Sequence, residues 1–293
     1  MTNENRLKNG TVLRDRYVIQ KSASYERWLG IPYVAYDISL GRNIFLLEAF
    51  RTEMCARIPG EVQVIDVKRN EFERLKEIFQ RYGQMLLSFR DCPNLPKAYE
   101  LFEENGTCYL SQELMQGNDL LQYKRMKGFP RPEVEILHTA AGILNALKYL
   151  HGLGCVHRDV CMGNVFLTER GAIKLIGVDN TVKMEELRNS KFSLNLNTGY
   201  AAPEEYRRKG NVGPWSDLYA AGAILYNLAT GKIAEESLER LVEDTLRPPK
   251  EYNPDISDRL NRVIMKALNL DIRRRYQSAA EFYGDLFHCH TGG

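Results

Sequence analysis

YLHGLGCVHRDVCMGNVFL, residues 149–167, runs from the end of an apolar helical stripe, through a charged tripeptide, into a strand. Leu137, Ala141, Leu144, Leu147 and Leu150 recur at spacings of three and four, which describes one face of a helix. HGLG then supplies the glycines suited to a helix stop. Beyond His157-Arg158-Asp159, the segments NVFL and AIKLI flank TERG, a pattern that predicts a hairpin. Further along, SDLYAAGAILYNLATG (216–231) predicts a second strong helix, and SAAEFYGDLF (278–287) a last one.

Upstream the pattern changes. RYVIQKSA (16–23), GIPYVAYD (30–37) and NIFLLEAF (43–50) are short, β-branched or aromatic, and separated by turn-prone residues, so they read as strands. Pro32 points to an edge strand, because proline donates nothing to a ladder. Phe72, Leu75, Phe79, Tyr82, Leu86 and Phe89 mark one face of a helix. PKAYELF and CYLSQEL follow, joined by EENG as a hairpin turn. The expectation is an α+β protein: a small antiparallel sheet with one main helix, then a larger, mainly helical lobe, with a cleft suited to a ligand.

The totals are those of a soluble globular chain. It has 293 residues, 44% of them hydrophobic, and 40 Lys plus Arg against 38 Asp plus Glu. That balance gives no reason to expect nucleic acid as a partner, and Arg273-Arg274-Arg275 reads as a helix end or as ion pairs. No window resembles a membrane span, and the polar start lacks a signal-peptide core. Cys55, Cys92, Cys108, Cys155, Cys161 and Cys289 form no CxxC pair, so the expectation is reduced thiols, no zinc and a cytoplasmic location. His288, Cys289 and His290 read as part of a mobile end rather than a metal site.

The opening stretch resembles the catalytic loop of eukaryotic-type protein kinases, and more particularly of bacterial Ser/Thr protein kinases. His157, Arg158 and Asp159 match H-R-D, and Asn164 stands where H-R-D-x-x-x-x-N places its asparagine. Ala202-Pro203-Glu204 matches A-P-E, Asp217 the aspartate that starts the large central helix, and Arg275 the arginine that pairs with the A-P-E glutamate. GTCYLSQEL, which contains Gln112, is similar to the last small-lobe strand and hinge. The resemblance covers about residues 12–290. It implies a two-lobed fold with a flexible start (1–11), a small lobe (12–114), a helical lobe (115–290) and a tail (291–293).

What the resemblance implies for chemistry is less complete. In the family, a glycine-rich loop covers the phosphates, a strand lysine pairs with them, and the D-F-G aspartate and the loop asparagine hold magnesium. Gly30 falls near the third glycine of that loop, but Tyr25, Glu26, Arg27 and Trp28 occupy its tip, where backbone should approach phosphate. A solvated hairpin turn and a docking knob built on Trp28 are both open readings. LGRNIFLLEAF overlays the strand pattern so that Leu47 takes the lysine position and Phe45 the alanine above the base. Phe45 is read as a plug that completes an apolar stack with Phe166; the alternative is that it swings aside and nucleotide enters. The helix glutamate has no clear counterpart, since counting back from Pro93-Asn94 reaches Tyr82, Gly83 and Gln84, and Glu77 lies a turn early.

IKLIGVDN (173–180) places Gly177 on the metal-binding aspartate. Asp179 stands two residues late, roughly 6–7 Å along extended chain, whereas Mg²⁺ holds its oxygens at about 2.0–2.1 Å. Asp179 is therefore expected to be a turn or cap residue. Cys161 replaces the usual residue two after the aspartate and reads as a passive buried thiol, a reactive one being the alternative. Asn197 replaces the threonine ahead of A-P-E. His157, Arg158, Glu204, Asp217 and Arg275 are expected to hold the helical lobe together. Asp159 and Asn164 are retained either for structure, by bonding backbone, or for residual function.

Loss of one preorganised charge-stabilising group costs about 3–4 kcal/mol in a barrier, and one and a half such losses lower turnover roughly a thousandfold. The expectation is thus a pseudokinase: a binding, regulatory or scaffold module, with no cofactor and with a protein partner such as an active kinase or signalling protein. The alternative is an active atypical Ser/Thr kinase using ATP and Mg, or a transferase of another group such as AMP, with Asp179 or Glu48 as substitute metal ligands. A third reading is a phosphorylated receiver, with Thr181, Ser190 and Ser193 as acceptors.

Overall fold

The computed structural model describes residues 5–22, 29–58, 61–89, 92–184, 196–207 and 210–287. The chain forms two compact units, Met1–Asp91 with Pro96–Gln116, and Cys92–Leu95 with Gly117–Gly293.

The first unit is built on β1 (Val12–Leu13), β2 (Tyr17–Ser22), β3 (Ile31–Asp37), β4 (Arg42–Glu48), β7 (Ala98–Glu104) and β8 (Thr107–Glu113). They form one antiparallel sheet in the order β1-β2-β3-β4-β8-β7. Tyr17 stacks on Phe102 at 5.3 Å between centroids, and its hydroxyl donates to Glu100 at 2.6 Å, so β2 and β7 approach each other across one face of a strongly curled sheet. The other face carries α1 (Arg69–Ser88), which buries Phe72, Leu75, Phe79, Gly83 and Leu86. Gly83 takes the place expected for Tyr82 because a Cβ there would come within 2.8 Å of Leu101 on β7. The β7–β8 turn is Asn105-Gly106, with φ of 52° and 75°, the left-handed pair that a two-residue hairpin needs.

Two expectations for this unit are corrected. β3 is an interior strand, paired with β2 and β4, although it contains Pro32. Pro32 is tolerated near the strand start: it faces Leu47 on β4, while the β2 ladder, as described, ends one residue away at Ser22↔Tyr33. A second hairpin, β5 (Cys55–Ile58) with β6 (Glu61–Val64), has no counterpart in the sequence reading, because each strand is only four residues long.

The second unit is mainly helical. β9 (Gly117–Asp119), α2 (Leu120–Lys127) and α3 (Glu133–Gly152) lead into β10 (Cys155–Val156), β11 (Val165–Thr168), β12 (Ile173–Leu175) and β13 (Val182–Lys183). α4 (Pro214–Thr230), α5 (Ser237–Arg240), α6 (Pro249–Tyr252), α7 (Asp258–Ala267) and α8 (Ala279–Phe287) complete it. α4 is buried on every side from Ser216 to Thr230, as an all-round apolar helix should be. It ends at Gly231 in the left-handed conformation, φ 75°. Gly222 lets α7 close in, since a Cβ there would lie 2.6 Å from that of Ala267. Around this axis pack α3, α7 and α8, giving the α+β architecture expected.

Candidate functional site

The loop between β10 and β11 is fixed from below by α4. Asp217, in its first turn, accepts from the backbone N–H of His157 and of Arg158, each at 2.9 Å, and pairs with His151 Nε2 at 2.8 Å. Those bonds hold Arg158 at φ 65°, a conformation that a non-glycine residue rarely adopts unless its surroundings impose it. His157 is fully buried, and burial lowers its pKa despite the nearby Asp217 and Asp159 carboxylates. The neutral ring bonds on both sides: Nε2 donates to the Ile176 carbonyl at 3.0 Å, and Nδ1 accepts from Asp159 N at 3.2 Å.

Asp159 is thereby aimed by its neighbours. Asn164 Nδ2 donates to its backbone carbonyl at 2.8 Å, and Asn197 Nδ2 donates to its carboxylate Oδ1 at 2.5 Å. Cys161 Sγ lies 3.9 Å from the same oxygen. Burial, reinforced by Asp159, pushes the Cys161 thiol up to about 11, which favours its protonated form at neutral pH.

At the end of β12, Gly177 adopts φ 76°, ψ 26°. A Cβ at this position would come within 2.5–2.6 Å of the Asn164 side-chain amide. Asn164 therefore fills the volume where a side chain at 177 would begin. Asp179 lies inside the 3₁₀ turn Val178–Asn180, whose N-cap is Gly177, so it is a turn residue rather than a cap. Its charge is felt by His157.

Beside Asp159 a small, solvent-open recess is lined by Arg158, Asp159, Asn197, Tyr200, Glu205 and Ser216 among others. Glu205 is buried there and accepts from Ala202 N at 2.9 Å. Burial, with the Asp217 and Glu204 charges adding to it, pushes its carboxyl up to about 8. Next to it Glu204 and Arg275 form a buried two-point pair at 2.8 and 3.0 Å, and Ser216 donates to Glu204 at 2.7 Å. In the expected Arg273–Arg275 run, Arg273 pairs with Asp271 and Arg275 with Glu204, so these arginines serve ion pairs within the fold.

The remaining candidates lie in the sheet unit, except Phe166, which is half-buried on β11. Gly30 has φ 149°, and a Cβ would stand 1.7 Å from the Glu48 carbonyl oxygen, so glycine is required for close approach to β4. Leu47 is 3% exposed, between Pro32 and Leu110 on the neighbouring strands. Phe45 is half-buried on the same face of β4, and Gln112 is buried on β8 opposite it. Glu77 is exposed on α1, away from the helix's buried face. Tyr25, Glu26, Arg27, Trp28, Ser190, Ser193, His288, Cys289 and His290 lie outside the described residues.

Glu48, weighed as a substitute metal ligand, is corrected. It is fully buried and accepts from the hydroxyls of Tyr33 and Tyr109, each at 2.8 Å, and from Arg57 at 2.5 Å. Three donors already use that carboxylate. Among the described residues no group of three or more His, Cys, Asp or Glu is arranged to hold a metal ion, and no helix is long and apolar enough to cross a membrane.

Sequence reasoning missed this Glu48 cluster, because its donors come from three separate segments. It also missed Glu205, whose only signal was the second acid of PEE.

Comparison with known proteins places this geometry. A family model described as protein kinase domain matches residues 62–285. The chain is 28% identical over 233 residues to a probable serine/threonine-protein kinase of Clostridium perfringens, covering 76% of this chain and 33% of that protein. It is 29% identical over 226 residues to the serine/threonine-protein kinase PrkC of Bacillus subtilis, covering 74% of this chain and 34% of that protein. The chain thus spans about a third of the length of these curated relatives. Among solved structures, that titled "PpkA-294 apo form" superposes with a TM-score of 0.80 at 27% identity, covering 96% of this chain and 99% of the other. With the H-R-D loop anchored on α4 and the Glu204–Arg275 pair in place, the chain belongs to the protein kinase domain family.

Proposed function

We propose that this kinase-family chain is a pseudokinase, a binding or regulatory module for a protein partner, with impaired affinity for ATP and Mg. The observation that carries this reading is at Gly177. The position that would hold the cation has no carboxylate, and the Asn164 amide fills the space where one would start. Leu47 supports it: a buried aliphatic chain stands where the resemblance asks for an ammonium group. The donor set does not fit ATP with magnesium. On this reading Asp159 and Asn164 serve the loop's own hydrogen bonding, while His157, Arg158, Glu204, Asp217 and Arg275 hold the helical unit.

One observation favours a second reading, an active atypical Ser/Thr phosphotransferase or a transferase of another group such as AMP. Asp159 is held in a defined orientation by Asn164 and Asn197, as a working carboxylate would be. The relatives are named as serine/threonine-protein kinases. Calorimetric titration with ATP, with and without Mg²⁺, separates the two. The pseudokinase reading expects no saturable heat and no rise in melting temperature. Saturable Mg-dependent binding, together with transfer of label from ATP that Asp159→Asn abolishes, establishes the enzyme instead. For the receiver reading, the Thr181 hydroxyl is buried, so its modification requires local opening.

A further inference from the structure

The segment after α4 carries an apolar face that is exposed among the described residues. α5 spans Ser237–Arg240, and its helical path continues to residue 243 through Leu241 N to Ser237 O at 3.2 Å and Glu243 N to Glu239 O at 3.2 Å. Its inward side is fixed by polar bonds. Ser237 Oγ donates to Ala201 O at 2.8 Å, and buried Arg240 donates to Tyr219 OH at 3.0 Å and to Asp244 at 2.9 Å. Leu238, Leu241 and Val242 stand at i, i+3 and i+4, so they share the outward side. They are 39%, 48% and 91% exposed. Leucine and valine gathered on the outer side of a helix, over a polar inner side, reverse the usual order of a surface helix.

Ile233, four residues before α5, is a further exposed apolar side chain of this segment. It is exposed, yet it packs so close to Gly199 that a Cβ there would meet it at 2.3 Å. The loop containing Gly199 also supplies Asn197 and Tyr200 to the recess beside Asp159. The apolar stripe and the recess are therefore joined by one loop, which Ser237 ties to α5. Glu235, Glu239 and Glu243 on the same segment are exposed; Glu235 accepts from Thr245 Oγ1 at 2.6 Å, and no ion pair to any of the three is present among the described residues.

We propose that this face, Leu238, Leu241 and Val242 with Ile233 at its end, docks a basic amphipathic segment of a partner protein. The segment lays an apolar stripe on these side chains and directs lysine or arginine to Glu235, Glu239 and Glu243. Apolar burial supplies the adhesion, and the acidic border sets the sign of charge that the partner must carry. The inference deepens the binding-module reading and rests on it for its biological purpose, but the surface needs no nucleotide.

Two labelled helical peptides with the same leucine stripe test it, one flanked by lysine and one by glutamate, titrated by fluorescence anisotropy in the absence of nucleotide. The expected result is preference for the lysine peptide by roughly tenfold, loss of that binding in Leu241→Glu/Val242→Glu, and reversal of the preference in Glu239→Lys/Glu243→Lys. These side chains are exposed, so melting temperatures of the variants should match the parent and separate lost docking from lost folding. Equal binding of both peptides, no saturable binding of the lysine peptide, or binding indifferent to the variants overturns the proposal. A dimer in light scattering that Val242→Glu splits into monomers also overturns it, because the occupant is then a second copy. A parallel ATP titration keeps the readings apart: nucleotide binding with intact peptide docking defeats the pseudokinase reading alone, and the converse defeats this one alone.

Discussion

Glu205 carries a titration that the rest of the fold must absorb. Its folded pKa, near 8, lies above its ordinary value of 4.5, chiefly through burial, so the folded chain binds a proton that the unfolded chain releases. The sign follows from linkage: this contribution is complete below about pH 4.5 and is lost as pH rises toward 8, with a slope of up to about 1.4 kcal/mol per pH unit. His157 acts in the opposite sense, since its lowered pKa favours the folded state above the ordinary histidine range and penalises acid. The parent should therefore be most stable at intermediate pH. Glu205→Gln should flatten the decline between pH 5 and 8 while leaving the acid limb in place, as read by urea denaturation across pH. An unchanged alkaline limb would show that Glu205 is ionised in the folded protein. At the same scale, Gly30 and Gly177 are both glycines that the fold requires, yet their causes differ. Gly30 is demanded by the Glu48 carbonyl oxygen, and Gly177 by its left-handed backbone and by the Asn164 amide.

Among elements, the β5–β6 hairpin depends on Arg57. Its backbone N–H and Nε bond Asn5, its Nη2 pairs with Glu48, and its guanidinium lies 5.2 Å over the Phe50 ring. Through that one side chain, the N-terminal segment and the hairpin are fastened to the end of β4. Leu7 adds to this, with its side chain buried and its N–H donating to Tyr33 OH at 3.2 Å. Arg57→Ala leaves the Glu48 carboxylate buried without its cation and should cost about 3–5 kcal/mol. Adding Glu48→Gln should recover part of that loss, because no buried charge remains, the amide oxygen still accepts from one tyrosine hydroxyl and the NH2 can donate to the oxygen of the other. Hydrogen exchange should show residues 5–7 and 55–58 losing protection in the single variant. If protection holds, the hairpin is fastened by something other than this pair. Strands β2, β3 and β4 were legible from their β-branched and aromatic content between turn-prone residues, and the stripe of α1 from residue spacing. The hairpin was not, because CARI and EVQV are only four residues each, too short for a spacing pattern, and the hairpin is placed by contacts with Asn5 and with the β7–β8 turn.

At the scale of the whole chain, the helical unit is organised around α4, which collects partners from distant parts of the sequence. Asp217 fixes the H-R-D loop 60 residues upstream. Ser216 and Glu204 meet Arg275, which spans 71 residues to reach its carboxylate. Arg275→Met leaves Glu204 buried without its counter-charge and should destabilise the unit by about 3–5 kcal/mol, whereas Arg275→Met/Glu204→Gln should cost less than the single change. Additive losses in that cycle would mean that the two residues act independently. The family match itself starts at residue 62, so the strands that carry Gly30, Phe45 and Leu47 lie outside it.

The sequence by itself determined the fold class, the order of the main elements and the kinase resemblance that the family match bears out, because periodic burial and short spaced motifs are local properties of a chain. It also determined that Leu47 and Gly177 carry no charge, which is a matter of residue type. Only the tertiary structure decided what surrounds them: that the Asn164 amide fills the space beside Gly177, that Glu48 is spent on Tyr33, Tyr109 and Arg57, that Glu205 is buried, and that Leu238, Leu241 and Val242 face outward. Those facts depend on which distant segments share a volume, and burial and hydrogen bonding between such segments leave no periodic trace in the sequence of either one.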